Sequence, residues 1–292
     1  MKTAIACLAL AAMQLPAYGQ PVKETQAPGA PAGPPYQLDR TETFELPSPE
    51  TGNTYKIVVA FPEDYAGAPA GKTWPVVYVI DAQWQFPLIY SVAGALTYDG
   101  DMPSVLLVGI SWKTTNGDLM ALRDRDLTPA GKSRPDYGRA EEFQDFFRRT
   151  LFPRIESRYP ANQHRTVTGC STSALFVFYT LLSQPDMFEG YIASSPFIGW
   201  DNDALSAMLD KLPQDRFKRD TRAYMTCGAL ENSSAWADFA NQVGRKNLKN
   251  LSFGFQSVSN AGHAGENGEC YTRGLQYVFA KGAPPKSGAG TQ

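Results

Sequence analysis

Residues 166–182 read TVTGCSTSALFVFYTLL, and the fold turns on how that stretch is divided. Its first part is β-branched (Thr166, Val167, Thr168), the mark of a strand. Its last part is an apolar run at helical spacing. Between them stand Gly169, Cys170, Ser171, Thr172, Ser173 and Ala174, all small. A strand that enters a helix through such residues has two uses for them. Small volume lets helix and strand pack closely, and a tight turn lifts an exposed serine at the end of the strand.

The surrounding chain alternates in the same way. TETFEL (41–46) and TYKIVVAFP (54–62), joined by a turn, read as an opening hairpin. WPVVYVID (74–81) and SVLLVGIS (104–111) are continuous apolar strands of the kind buried on both faces. PLIYSVAGALTYDG predicts a helix ended by Gly100, and AEEFQDFFRRTLFPRIESRY predicts a second that breaks or kinks at Pro153. GYIASSP, RAYMTCG and LSFGFQSV supply further strands, and TRGLQYVFA a closing helix. This order predicts an α/β fold: a mostly parallel, doubly wound sheet, an N-terminal antiparallel hairpin, and helices on both faces. Ligands of such sheets sit at the carboxyl ends of the strands.

The 292 residues divide unevenly. Residues 1–19 carry Lys2, a short apolar run and a small-x-small pattern at Ala17 and Gly19, the features of a cleaved signal peptide, so a periplasmic or secreted protein is expected. Residues 20–37 form a Pro/Gly/Ala-rich linker, 38–281 the domain, and 282–292 a flexible tail. A net charge of −2 and 19% charged residues give no footprint for nucleic acid. No stretch after the signal is long and apolar enough for membrane insertion. Export favours oxidised cysteines, and the expected topology puts Cys227 and Cys270 on neighbouring loops as a candidate disulfide. Only two histidines are present, and the cysteine spacing fits no zinc pattern, so no metal is expected.

A serine nucleophile needs a base, most often histidine. His164 precedes the strand of Ser171 and belongs to its wrong end. His263 lies in a Gly-rich loop after the last strand, on the side where Ser171 falls. In this class of fold the acid follows the serine and precedes the histidine in sequence. Glu231, three residues past Gly228, fits; Asp238, within the next helix, is the alternative.

The chain resembles the putative esterase family of α/β-hydrolases, which includes siderophore (enterochelin) esterases, esterase D-like proteins, feruloyl esterases and mycolyltransferases. The blocks that carry the likeness are TYKIVVAFPEDY, WPVVYVIDAQWQF, RDRDLTP, FPRIESRYP, RTVTGCSTSALFVFYTLL, MFEGYIASSPFIGWD and GHAGENGECYTRGLQYVF. They occur in family order, and the siderophore-esterase branch matches best. The resemblance implies the α/β-hydrolase fold, with Ser171 as nucleophile, His263 as base and Glu231 as acid. It implies an oxyanion hole from the backbone N–H groups of Thr172 and Gln83. Two departures stand out: Ser173 and Ala174 replace the family's trailing elbow glycines, and Ala82 replaces a glycine of the oxyanion loop.

The implied activity is a serine esterase working through an acyl-enzyme, without a cofactor, on a small-molecule or carbohydrate-linked ester. Trp84, Arg123 and Trp200 are candidate substrate-binding residues. Arg123 reads first as half of a structural Arg–Asp pair in the charged loop RDRDLTP, and second as a contact for an anionic or catecholate-bearing substrate. An acyltransferase of the same fold, and a non-catalytic binding protein on a hydrolase scaffold, remain the alternatives.

Overall fold

The β-branched and apolar runs assemble as the centre of an eight-stranded sheet in the computed structural model, which describes residues 36–114, 117–132, 136–231 and 233–282. The expected signal segment, all of the linker but its last two residues, and all of the tail but Gly282 lie outside the described residues. The strands are β1 (Thr41–Pro47), β2 (Thr54–Ala60), β3 (Trp74–Ile80), β4 (Leu106–Trp112), β5 (Ala161–Cys170), β6 (Gly190–Ser194), β7 (Thr221–Gly228) and β8 (Leu251–Val258). Their order across the sheet is β1-β2-β4-β3-β5-β6-β7-β8. β1 pairs antiparallel with β2, and β2 with β4; every other pair is parallel. The expected hairpin and doubly wound sheet are both present.

Strand alternation divides the core between two faces. Val77, Val79 and Leu107 point to one face, where α1 (Ala82–Asp99) packs with α8 (Asn267–Phe279) through Phe86, Ile89, Leu96, Tyr271 and Leu275. Val76, Tyr78, Ile80 and Val108 point to the other. There lie α2 (Leu119–Leu127), α3 (Ala140–Asp145), α4 (Phe152–Arg158), α5 (Thr172–Ser183), α6 (Ala204–Lys211) and α7 (Ser234–Lys246). Burying each large apolar side chain contributes about 1.5–3 kcal/mol, so both layers hold the sheet.

Three elements differ from the expected ones, each for a local reason. α1 begins at Ala82, ahead of the predicted run; Asp81, at φ 59°, turns the chain into it, and Gly100, at φ 78°, ends it. The stretch 140–158 is two helices joined by a wide π turn, Phe146–Leu151. The extra residue in that turn lets Phe143, Phe146, Phe147, Leu151 and Ile155 all face inward. Pro153 then falls in the first turn of α4, where its missing N–H costs nothing. The charged stretch before Thr128 is helix rather than loop. Asp118 caps α2, its side chain accepting from the N–H groups of Met120 and Ala121.

The parallel strands from β3 to β8 end along one edge of the sheet. Two ladders run one residue past their strands there: Ser171 N–H donates to Ser194 O at 2.9 Å, and Ser195 N–H to Thr226 O at 2.9 Å. Among the described residues, no helix is long and apolar enough to cross a membrane.

Candidate active site

Ser171 sits between the last residue of β5 and the first of α5 with φ 61° and ψ −117°. A non-glycine residue in that region is strained, and such strain persists only where surrounding structure imposes it. Here the imposing contacts are the bond of its N–H to Ser194 O and those of its carbonyl, which accepts from Leu175 N–H at 3.0 Å and Phe197 N–H at 3.3 Å. Gly169 makes the turn possible. A Cβ there would stand 2.6 Å from the carbonyl carbon of Ser173, so only glycine admits α5 this close. Ser173, which replaces the expected glycine, is fully buried. Its hydroxyl accepts from Cys170 N–H and donates to Cys170 O, both at 2.8 Å, which satisfies the strand's last polar groups.

His263 and Glu231 meet at the same edge, on the segments that follow β8 and β7. His263 Nδ1 lies 2.6 Å from Glu231 Oε1. A carboxylate only accepts, so Nδ1 carries the proton and Nε2 is left with a free lone pair. Glu231 Oε2 accepts from Gly228 N–H at 2.8 Å and from Ser195 Oγ at 2.6 Å. Burial opposes the charge on Glu231, yet the bonds from His263, Ser195 and Gly228 win and hold its carboxyl below the ordinary carboxylate range. The bond to Glu231 raises His263 above the ordinary imidazole value, against a smaller opposing effect of burial. His164 stands apart at the start of β5, bonded to Glu189 at 2.7 Å. Asp238 is exposed on α7 beside Asp203 and Asp210, in a groove of about 540 Å³ that shares none of these residues.

The two expected oxyanion donors open helices. Thr172 is the first residue of α5 and Gln83 the second of α1. Among the described residues neither N–H is taken by a carbonyl, whereas Trp84 and Gln85 both donate to Asp81 O. The strained residue of the α1 turn is Asp81, so alanine at 82 lies in ordinary helix. Its methyl is housed by Gly109 on β4, where a Cβ would come within 2.7 Å of it. Asp81 is fixed by Arg123, whose Nε and Nη2 donate to its two oxygens at 2.7 and 2.8 Å. Arg123 is 4% exposed, also donates to Cys170 O, and leaves Trp84 the surface above it, 5.7 Å from its guanidinium. Of the two readings offered for Arg123, the Arg–Asp pair is the one present.

Four of the exposed large apolar side chains rim this edge: Trp84, Met120, Phe197 and Leu230. Trp200, a candidate substrate-binding residue by its loop position, is instead buried in the core, edge-on to Phe197 at 6.0 Å. The motif PFIGW carries both aromatics at loop positions, and nothing in its pattern separates the buried one from the exposed one. Cys170, Cys227 and Cys270 are free, buried thiols. The Cys227–Cys270 disulfide is therefore absent, and strand alternation is the reason. Thr226 faces α8 and bonds the Cys270 thiol, so Cys227, one residue on, faces the opposite layer. Burial pushes the Cys170 thiol up to about 12, which removes it as a rival to the adjacent Ser171 at neutral pH. Among the described residues no group of three His, Cys, Asp or Glu could hold a metal ion.

Comparison with known proteins follows the same outline. The family model described as "Putative esterase" matches residues 48–267. Ferri-bacillibactin esterase BesA of Bacillus subtilis (strain 168) is 32% identical over 184 residues, 57% of this chain and 61% of that protein. Siderophore triacetylfusarinine C esterase of Aspergillus fumigatus is 29% identical over 177 residues, 58% of this chain and 59% of that one. The chain thus matches about three fifths of the length of these relatives. Among solved structures, the BES protein from Bacillus cereus superposes with TM-score 0.73 at 22% identity, covering 86% of this chain and 99% of that one. The likeness gives the architecture as an α/β-hydrolase fold.

Proposed function

The chain belongs to the Putative esterase family, and from that premise we propose that it is a serine carboxylic-ester hydrolase with Ser171, His263 and Glu231 as its triad. One observation carries the reading: a strained serine between β5 and α5, at the same edge as a histidine whose Nδ1 is held by a half-buried glutamate. In this scheme His263 Nε2 takes the Ser171 proton as Oγ attacks the ester carbonyl. The alcohol leaves with that proton, and water then attacks the acyl-serine with His263 again as base. Glu231 keeps the proton on Nδ1 and offsets the imidazolium charge. The Thr172 and Gln83 N–H groups receive the oxyanion, each worth about 3 kcal/mol in comparable sites. Both stand in the first turn of a helix, whose dipole favours negative charge there.

The substrate we propose is a siderophore-like ester whose acyl arms carry flat, partly apolar groups. The rim of Trp84, Met120, Phe197 and Leu230 supports this, because rings stack and slide on such a surface without a deep pocket. The names of both curated relatives point the same way. Export behind residues 1–19 belongs to the reading, and the amino terminus of secreted protein, read by mass, tests it.

The central test mixes purified protein with p-nitrophenyl esters, a cyclic trilactone of catechol-acylated serine, and feruloyl or acetyl sugars. Ser171→Ala is expected to abolish the burst and the acyl adduct seen by intact mass. Equal inertness of both proteins, including toward a fluorophosphonate, defeats the reading in favour of a binding protein. Transfer to an added alcohol in preference to water turns it into an acyltransferase.

A further inference from the structure

Below the His263–Glu231 pair lies a second carboxyl to which the scheme above gives no part. Glu266 precedes α8, is fully buried, and among the described residues has no ion-pair partner. Its Oε2 accepts from Thr226 Oγ1 at 2.5 Å. Its Oε1 meets Ser195 Oγ at 3.0 Å and Ser194 Oγ. Ser195 also reaches Glu231, so one hydroxyl bridges the two acids, on a residue held at φ 41°. We propose that Glu266 is a positioning residue: as an uncharged acid it donates into the Ser194–Ser195 pair, and through Ser195 it fixes Glu231 against His263. What this positioning achieves rests on the triad reading given above.

Counting protons supports the uncharged form. Ser194 Oγ lies against Glu266 Oε1 and Asn267 Oδ1; Ser195 Oγ lies against Glu266 Oε1 and Glu231 Oε2. These four contacts join oxygens, and the two serines bring one proton each. With both glutamates ionised, two contacts have no proton between their oxygens. A proton on Glu266 Oε1 fills a third and frees Ser195 to donate to Glu231, the shorter of its two contacts. An amide in place of the carboxyl would fill all four, its nitrogen donating to both serines and its oxygen still accepting from Thr226. Burial, with Glu231 adding to it, lifts the Glu266 carboxyl above the ordinary range against the pull of the three hydroxyls.

Of the groups that face Glu266, only His263 can bring a positive charge, and only in its protonated form. Glu231 and Cys227 come from β7 and the turn after it, Cys170 from β5, Cys270 and Tyr271 from α8, and His263 from the same loop. Burial keeps the thiols and the phenol neutral, and Asp81 occupies Arg123. The network continues on the other side. Asn267 Nδ2 donates to Gln85 Oε1 at 3.3 Å, and Tyr271 Oη donates to the same oxygen at 2.8 Å. Hydrogen bonds therefore run from the helix that carries the Gln83 N–H to the acid that orients His263.

The test compares Glu266→Ala, Glu266→Gln, Ser195→Ala and the Ser195→Ala/Glu266→Ala double variant. It reads kcat and KM separately, and the Nδ1 proton resonance of His263 by NMR. His164 is the only other histidine, so the resonance is readily assigned. E266A and S195A are expected to lose about 10- to 100-fold in kcat with KM little changed, the scale of a small misplacement. The double variant should fall no further than the worse single one. In both single variants the His263 resonance should shift or broaden, while E266Q should recover the rate and restore the resonance. An unmoved resonance in E266A, an E266Q as damaged as E266A, or additive losses would overturn the proposal. Should E266A fail to fold, E266Q and S195A still decide. If the wild type shows no Ser171-dependent turnover, the esterase reading falls, and the resonance decides the positioning claim alone.

Discussion

The reactivity of Ser171 depends on two opposed shifts on its proposed partners. His263 must be neutral to accept a proton, and its bond to Glu231 raises it above the ordinary imidazole value of 6.5. The acid limb of kcat/KM is therefore expected to reach half-height above that value. Glu231→Gln removes the carboxylate that raises it, so the limb should move to lower pH. The same change should cut kcat by about 100- to 10,000-fold, since the amide can hold the wrong tautomer. A limb that stays in place when Glu231 is neutralised would mean that another group controls it. Ser173 makes a second residue-scale case. Ser173→Gly restores the small residue expected at an elbow, yet deprives Cys170 N–H of a buried acceptor. Denaturant melts should show a loss of about 1–3 kcal/mol with activity largely kept.

At the scale of elements, the candidate site is aimed by the turns that open α1 and α5. Gly169→Ala places a methyl 2.6 Å from the backbone of Ser173. It is expected to push α5 off β5 and remove activity; a stable, active variant would show that the elbow has slack. Asp118→Ala uncaps α2 and should cost about 0.5–2 kcal/mol in thermal or urea melts. Because α2 carries Arg123 to Asp81, at the turn that leads to the Gln83 N–H, kcat should fall with it. Legibility follows the same division. The strand-to-helix change at Ser171, the cap at Gly100 and the break near Pro153 are local signals, and each is found close to where the sequence puts it. The α2 helix was missed because four charges in a row read as loop, although Asp118 ahead of Leu119 is an ordinary capping signal. The absent disulfide was legible in principle, since strand alternation already sends Thr226 and Cys227 to opposite layers. Glu266 was not legible. A glutamate in a Gly-rich segment reads as solvated, and its burial comes from Ser194 and Thr226, 72 and 40 residues away.

For the whole molecule, the titrating groups set a window of stability. His263, raised on folding, contributes fully below 6.5 and loses that contribution as pH rises through its folded value. Glu231, lowered on folding, contributes fully above 4.5 and loses it as pH falls through its folded value. The pair therefore stabilises most between those limits. Glu266 is raised, so folding is favoured below 4.5 and penalised as pH climbs, because the unfolded carboxyl ionises first. The Tm advantage of Glu266→Gln over wild type is expected to grow as pH rises above 4.5, and a flat difference across calorimetric scans would contradict it.

The ladder bonds that carry Ser171 and Ser195 one residue past their strands also have a historical side. Ser171, the proposed nucleophile, and Ser195, proposed to brace the acid, are indexed by the pairing of β5 with β6 and of β6 with β7. A residue inserted within one of these strands turns the later side chains of that strand to the opposite layer and breaks the register on which these serines depend. The rim of Trp84, Met120, Phe197 and Leu230 hangs on segments beyond the ladders and is free of that bookkeeping. A lineage descending from such a protein can trade its rim, and with it the molecules it accepts, by single steps. Its reacting atoms can change only by a jump.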